Sequence, residues 1–271
     1  MNRALKWLTL GLVAALAFGL AAPAEAYIIW VSDGSDDNGD NIPNDQGFVD
    51  LLTGAGYTVL RRDQSLRGIL DPPELAELNA AQLVIVSRDT NSNAYNYAAQ
   101  WNGITAPIML TSAFLAGSSR WKWLNTTDIA NTSPPPLLEA VDPSDPVFAH
   151  VTLDANNQIN ILESVGSFAR STTAGNGALV AKAVNTNNVW IARWDAGTEF
   201  YSGAGETAGG PRMLFIAGKN GNVGTGIGIE NLNADGEQMF LDAVGSIAVP
   251  EPGTLVLLAM AGLGLLVWRR R

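Results

Sequence analysis

Apolar positions along the chain fall into short continuous runs separated by polar loops. Tyr27-Ile-Ile-Trp-Val31 is a β-branched and aromatic run that reads as a buried first strand, and a polar stretch over residues 33–41 follows it. Over residues 45–55, Phe48, Leu51 and Leu52 recur at helical spacing, and Gly54 and Gly56 close the segment. Residues 57–60 predict a second strand and residues 73–78 a short helix. Gln82-Leu-Val-Ile-Val86 predicts a third strand with the unbroken apolar character of a parallel sheet. A helix over 95–101 and a fourth strand over 107–110 come next. Strands alternating with helices at this spacing predict right-handed βαβ units in a layered α/β domain.

The second half is less regular. Ser133-Pro-Pro-Pro136 and Asp142-Pro-Ser-Asp-Pro146 read as turns within a domain, because apolar material resumes at once. Strand-like runs lie at 159–162, 178–184 and 189–194, and residues 199–201 and 213–216 add further apolar segments. A helix over 235–247 puts Met239, Phe240, Ala243 and Val244 on one face. The sequence shows no internal repeat.

The two ends differ from this pattern. Arg3 and Lys6 precede an apolar run over 7–20, and Ala24-Glu25-Ala26 is a small-x-small cleavage site. Residues 1–26 therefore read as a signal peptide, with the mature chain beginning at Tyr27. At the other end, Pro250-Glu251-Pro252 is followed by an uncharged stretch over 254–268 and then Arg269, Arg270 and Arg271. As a helix that stretch extends about 22 Å at roughly 1.5 Å per residue, short of a ~30 Å hydrocarbon core. The arginines snorkel, Trp268 suits the headgroup boundary, and the positive-inside rule puts this end in the cytoplasm. Residues 249–271, with Pro-Glu-Pro, a short transmembrane helix and terminal arginines in that order, resemble the PEP-CTERM sorting signal of Gram-negative bacteria. That resemblance implies a membrane protease of exosortase type as a partner, inner-membrane anchoring until processing, and then the cell surface or the extracellular space. An ordinary tail anchor is the plainer alternative.

Composition constrains the domain between the ends, residues 27–248. The chain is 47% apolar and 15% charged, so this is a folded domain. Residues 27–249 carry 24 acidic side chains against 11 basic ones, which excludes nucleic acid as a natural partner. There is no cysteine, so neither a thiol nucleophile nor a thiolate metal site exists, and the single histidine, His150, rules out a multi-histidine metal centre.

Asp45-Gln46-Gly47-Phe48 opening a helix, Leu83-Val-Ile-Val-Ser-Arg88, Met213-Leu-Phe-Ile-Ala-Gly218 and Gly236-Glu-Gln-Met-Phe-Leu-Asp-Ala243 carry a second resemblance. In this order they resemble the ThuA-like branch of the class I glutamine amidotransferase-like superfamily, over about residues 27–247. The resemblance implies a three-layer flavodoxin-like domain with a mostly parallel sheet. Enzymes of that superfamily place a nucleophilic cysteine at a sharp strand-to-helix elbow and activate it with histidine. Here the corresponding turn reads Leu110-Thr111-Ser112-Ala113-Phe114, without cysteine and without a Gly-x-Ser-x-Gly frame. Ser112 is the only hydroxyl to nominate, and no partner pattern accompanies His150. The parent chemistry reads as lost, and no catalytic residue is assigned.

Three segments could carry function. The loop over 33–45 offers Asp33, Asp36, Asp37 and Asp40 as hard oxygen ligands for Ca²⁺, the one candidate cofactor. Its frame misses the EF-hand pattern: counted from Asp33, position six is Asn38 where glycine is required, and a solvated loop is the alternative. The second candidate rests on the rule that open α/β sheets bind ligands beyond the C-terminal ends of their strands. Loops there offer Asp33, Arg88, Asp89, Asn91, Arg120, Trp121 and Trp123, a set suited to stacking sugar rings and holding hydroxyls, unless the tryptophans are core and Arg88 pairs with Asp89. The third, a glycine-rich segment over 218–228, lacks the Lys-Ser/Thr ending of a phosphate loop and reads as a surface loop or hairpin.

The sequence therefore predicts an exported, acidic α/β domain, and the tail's resemblance to PEP-CTERM proteins, which are associated with exopolysaccharide production, implies that it binds exopolysaccharide or another envelope component without catalysis. Two alternatives stand beside it: a carbohydrate-active enzyme of ThuA-like type using Asp33 and Asp89 as acid and base, and a calcium-dependent structural module.

Overall fold

A computed structural model describes residues 27–132, 135–220 and 226–248. The expected signal peptide and sorting signal lie outside the described residues. Among the described residues, no helix is long and apolar enough to cross a membrane.

The fold is organised on β1 (Ile28–Ser32), every residue of which is buried. β2 (Val59–Asp63) pairs with it on one side and β3 (Leu83–Val86) on the other, both in parallel. β4 (Ile108–Leu110) continues the sheet beyond β3, and β11 (Arg212–Phe215) beyond β4, again in parallel. The connections run through α1 (Gln46–Gly54), α2 (Pro72–Ala80) and α3 (Ala98–Gly103), as the alternating pattern predicts. α2 starts where it does because Asp71 accepts the N–H of Glu74 while Glu74 accepts that of Asp71, with Pro72 in the first turn.

The order β2-β1-β3-β4-β11 is a doubly wound one. The chain leaves β1 to one side for β2 and returns across it to β3, so the switch point lies between β1 and β3. Past β11 the sheet turns antiparallel through β10 (Val189–Trp194), β9 (Ala178–Ala183), β6 (Leu138–Ala140) and β7 (Gln158–Ile159), giving nine strands. The expected mostly parallel sheet is thus its first five strands, extended by four antiparallel ones. β5 (Ile129–Thr132) and β8 (Gly166–Ala169) form a separate two-stranded ladder.

Helices cover both faces of the parallel half. On one, Trp30 of β1 stacks on Phe48 of α1 at 5.6 Å, and Phe48 meets Phe240 of α5 (Ala234–Ile247) at 5.2 Å. Phe240 in turn packs edge-on to Phe215 of β11, with ring centroids 5.8 Å apart. On the other, Arg212 reaches α3, consistent with residues 212 and 215 pointing to opposite faces of β11. Its guanidinium is buried against backbone oxygens: Nη2 donates to Asn102 at 2.9 Å and to Ile104, and Nη1 to Ala106 and Pro211 at 3.0 Å each. Those of Asn102 and Ile104 belong to the end of α3, where a helix leaves carbonyls without intrahelical partners.

Both edges of the large sheet are blunt. β2 runs on past the predicted residue 60 into Arg61, Arg62 and Asp63, while β7 has two residues. Arg61 pairs with Asp45 and Asp63, and Arg62 with Glu77.

Candidate functional site

The polar loops that follow β1, β3, β4 and β11 meet at the C-terminal edge of the parallel strands. The first two are laced together at the switch point. Asp33 donates its N–H to the carbonyl of Asp89 at 2.6 Å, and its carboxylate accepts the N–H of Asn91 at 2.8 Å. Asp89 accepts the backbone N–H and the hydroxyl of Ser35, both at 2.7 Å. Arg120, after β4, donates to Asn93 of the β3 loop. From the far side comes the glycine-rich segment, where Gly226 and Ile227 give their N–H groups to Asp37. Gly218 and Gly228 let it pass this close: a Cβ at Gly228 (φ +80) would stand 2.5 Å from that of Asp89, and one at Gly218 (φ +90) 2.8 Å from that of Arg88.

Asp33 and Asp89, read from the sequence as an acid/base pair, occupy different electrostatic states. Asp33 is taken up by a two-pronged ion pair with Arg67, at 2.7 and 2.9 Å, and by the Tyr95 hydroxyl at 3.1 Å. Asp89 is 2% exposed, and its carboxylate is held by the serines at 32 and 35. Burial pushes its carboxyl up to about 6, Asp45 and Asp33 add like-charge repulsion, and the Ser35 donors hold it partly down.

Arg88, the next residue, does not pair with Asp89. It is 8% exposed and lies over the Phe114 ring, with Cζ 4.5 Å from the centroid. Among the described residues its guanidinium has no hydrogen-bond acceptor, and Nε is sealed from solvent. Burial lowers it to about 10, against the pull of the Asp89 charge. Ser112, the hydroxyl nominated at the turn after β4, is fully buried, and its Oγ has no partner either. Its backbone is ordinary extended chain (φ −94, ψ 111), unlike the strained geometry of a nucleophile elbow. His150 is engaged elsewhere, on Asp242 of α5 at 2.7 Å. No base therefore activates Ser112 in this arrangement.

Trp121 and Trp123 are corrected from candidate sugar platforms to core. Both are fully buried, in a continuous aromatic series. Trp121 stacks on Trp101 at 5.0 Å, and Trp123 on Phe200 at 5.6 Å. Their indole N–H groups are satisfied inside, by the Tyr95 carbonyl at 2.8 Å and the Asn102 side chain at 2.9 Å. Asn91 is a turn residue whose side chain accepts the N–H of Asn93.

The proposed calcium ligands do not converge. Asp36 turns inward to the N–H groups of Gly39, Asp40 and Asn41. Asp37 faces Gly226, Ile227 and Asn44, and those donors, Gly226 first, hold its carboxyl below the usual range. Asp40 accepts from Ile42 and Asn38, and Asp33 is on Arg67. Among the described residues no group of three or more His, Asp or Glu could hold a metal ion. Backbone N–H groups and Arg67 relieve the repulsion that a cation would otherwise have had to screen.

The sequence places Asp45 at the end of the acidic loop and the opening of a helix but does not reveal its role: its fully buried carboxylate takes Trp30 Nε1 at 2.8 Å, Ser87 Oγ at 2.5 Å and Arg61 Nη2 at 2.8 Å. An aspartate just ahead of the first apolar helix, facing a tryptophan in the first strand, was the available signal. Phe114 was also missed as the ring beneath Arg88.

Residues 248–271 match the PEP-CTERM protein-sorting motif, which marks an exported protein sorted by an exosortase-type system and anchored at its C-terminus before processing. No curated protein matches the chain. Two solved structures resemble it in fold. One is the cytoplasmic protein STM3548 from Salmonella typhimurium, 12% identical with a TM-score of 0.52, covering 83% of this chain and all of that one. The other is the cytoplasmic protein STM1381 from Salmonella typhimurium LT2, 7% identical with a TM-score of 0.56 and the same coverage. At such identities the likeness concerns architecture alone.

Proposed function

We propose that the chain is an exosortase-sorted surface or extracellular-matrix protein whose α/β domain binds exopolysaccharide or another envelope component without catalysis, at the C-terminal edge of its parallel strands. The observation that carries this reading is Arg88: a buried guanidinium without an acceptor among the described residues, beside the switch point where doubly wound sheets take their ligands. The ThuA-like resemblance contributes the architecture. Its carbohydrate-active branch is the second reading, favoured by one feature, the Asp89 carboxyl held near 6, where a general acid operates. Against it, Asp33 is bound to Arg67 and is not available as the partner base.

The test uses residues 27–248, a unit with its own buried core. It is pelleted with exopolysaccharide from the producing cell while the supernatant is assayed for reducing sugar. Pelleting without sugar release is the expected result. Release that disappears in Asp89→Asn would establish the enzyme reading instead, and a domain that neither pellets nor releases sugar would refute both.

A further inference from the structure

We propose that Arg88 and Ser112 form an anion subsite, taking one carboxylate or phosphate group carried by an envelope glycan. The inference rests on the reading of this edge as the ligand site and names the chemistry recognised there. Its geometry comes from the sheet. β3 and β4 pair in parallel with Val86 opposite Leu110, so Arg88 and Ser112, each two residues further on, leave the sheet side by side. Both are buried, and both lack a hydrogen-bond partner among the described residues. They stand at the ends of two neighbouring strands, and a buried donor without an acceptor costs free energy that folding normally avoids.

The guanidinium is also held in a useful attitude. With Cζ 4.5 Å from the Phe114 centroid, it is supported by the ring, and its planar fork is the group suited to two-pronged recognition of a carboxylate or phosphate. Among the described residues its terminal nitrogens have no acceptor either, and Nε is sealed from solvent. Nearby carboxylates do not compete for it. Asp33 is matched by Arg67, Asp45 by Arg61, and Asp89 is bonded by the serines at 32 and 35. A domain with 24 acidic and 11 basic residues repels anions at its general surface, so an anion is held only where a local cation is built in.

The full chain, in detergent, is titrated calorimetrically with sodium glucuronate, with inorganic phosphate and with uncharged methyl glucoside. At least one anion is expected to bind and the glucoside not. Arg88→Met should weaken anion binding at least about tenfold and Ser112→Ala about threefold, as loss of hydrogen bonds to a charged group implies. Arg88→Lys, which keeps the charge without the fork, should fall between wild type and Arg88→Met. Preference for glucuronate would assign the group to a uronate, and preference for phosphate to a phosphorylated glycan. Binding of neither anion, or equal binding by wild type and a folded Arg88→Met, would overturn the subsite. The same samples are pelleted with exopolysaccharide. Pelleting that needs neither Arg88 nor Ser112 removes the subsite and leaves the polysaccharide reading intact, whereas anion binding without pelleting does the reverse.

Discussion

Two arginines, Arg88 and Arg212, sit at opposite ends of the parallel strands, and both are more than nine-tenths buried. Among the described residues neither has a carboxylate bonded to it, each has a buried Nε without an acceptor, and burial lowers both, to about 10 and about 9. They differ in where their donors go. Arg212 spends its terminal nitrogens on the carbonyls at the end of α3, tying that helix to β11. Arg88 has only the face of Phe114 beneath it. Burial of a cation is therefore not in itself the mark of a site; the unspent hydrogen-bonding capacity is.

Four substitutions sharpen or break this contrast. Arg212→Met should destabilise most, by about 3–5 kcal/mol, because several buried carbonyls lose their donor at once. Chemical denaturation measures it, and a loss under about 1 kcal/mol would mean the arginine is no more structural than Arg88. Asp89→Asn tests the charge beside the proposed site. The folded carboxyl is raised above its unfolded value, so its stabilising contribution is present below about pH 3.8 and is lost as pH rises through about 6. The amide does not titrate, so the variant should gain on wild type across that window, by up to about 3 kcal/mol at pH 7. Parallel melting-temperature profiles would show that Asp89 is not perturbed. Gly228→Ala should cost about 1–3 kcal/mol, since a side chain at φ +80 is strained and would meet the Asp89 backbone. An unaffected melting temperature would mean the glycine-rich segment does not press on the β3 loop. Smallest of all is Arg88→Met, expected within about 1 kcal/mol of wild type because no hydrogen bond is broken. A loss as large as that of Arg212→Met would make both arginines structural.

Much of the parallel half was legible because its strands are buried on both faces and read as unbroken apolar runs. β3 and β4 differ from their predicted limits by a residue at one end and β1 by one at each end, and in the antiparallel half β10 matches its predicted limits. β2 was placed two residues early, since its pairing with β1 carries on through Arg61, Arg62 and Asp63, which no hydrophobic pattern reports. β5, β6 and β8 went unread for a similar reason: Ile129-Ala-Asn-Thr132 and Gly166-Ser-Phe-Ala169 are strands by virtue of their mutual pairing. At the site, Arg88 and Asp89 could be placed from the end of a strand alone. The burial of Trp121 and Trp123 could not, because Trp101, Asn102 and Phe200, brought in from distant parts of the chain, create it. The acidic loop looked like a metal site because sequence shows carboxylates but not the backbone N–H groups that answer them.

The blunt edges of the large sheet bear on how copies of an exported protein meet one another. An open β-edge recruits strands from neighbouring molecules, and a protein packed densely outside the cell meets many copies of itself. Here one edge presents the guanidinium groups of Arg61 and Arg62, and the other ends in a strand of two residues. Neither offers a template on which a second molecule could extend the ladder. The sheet is thereby guarded at both edges against growth by strand addition between copies of the chain.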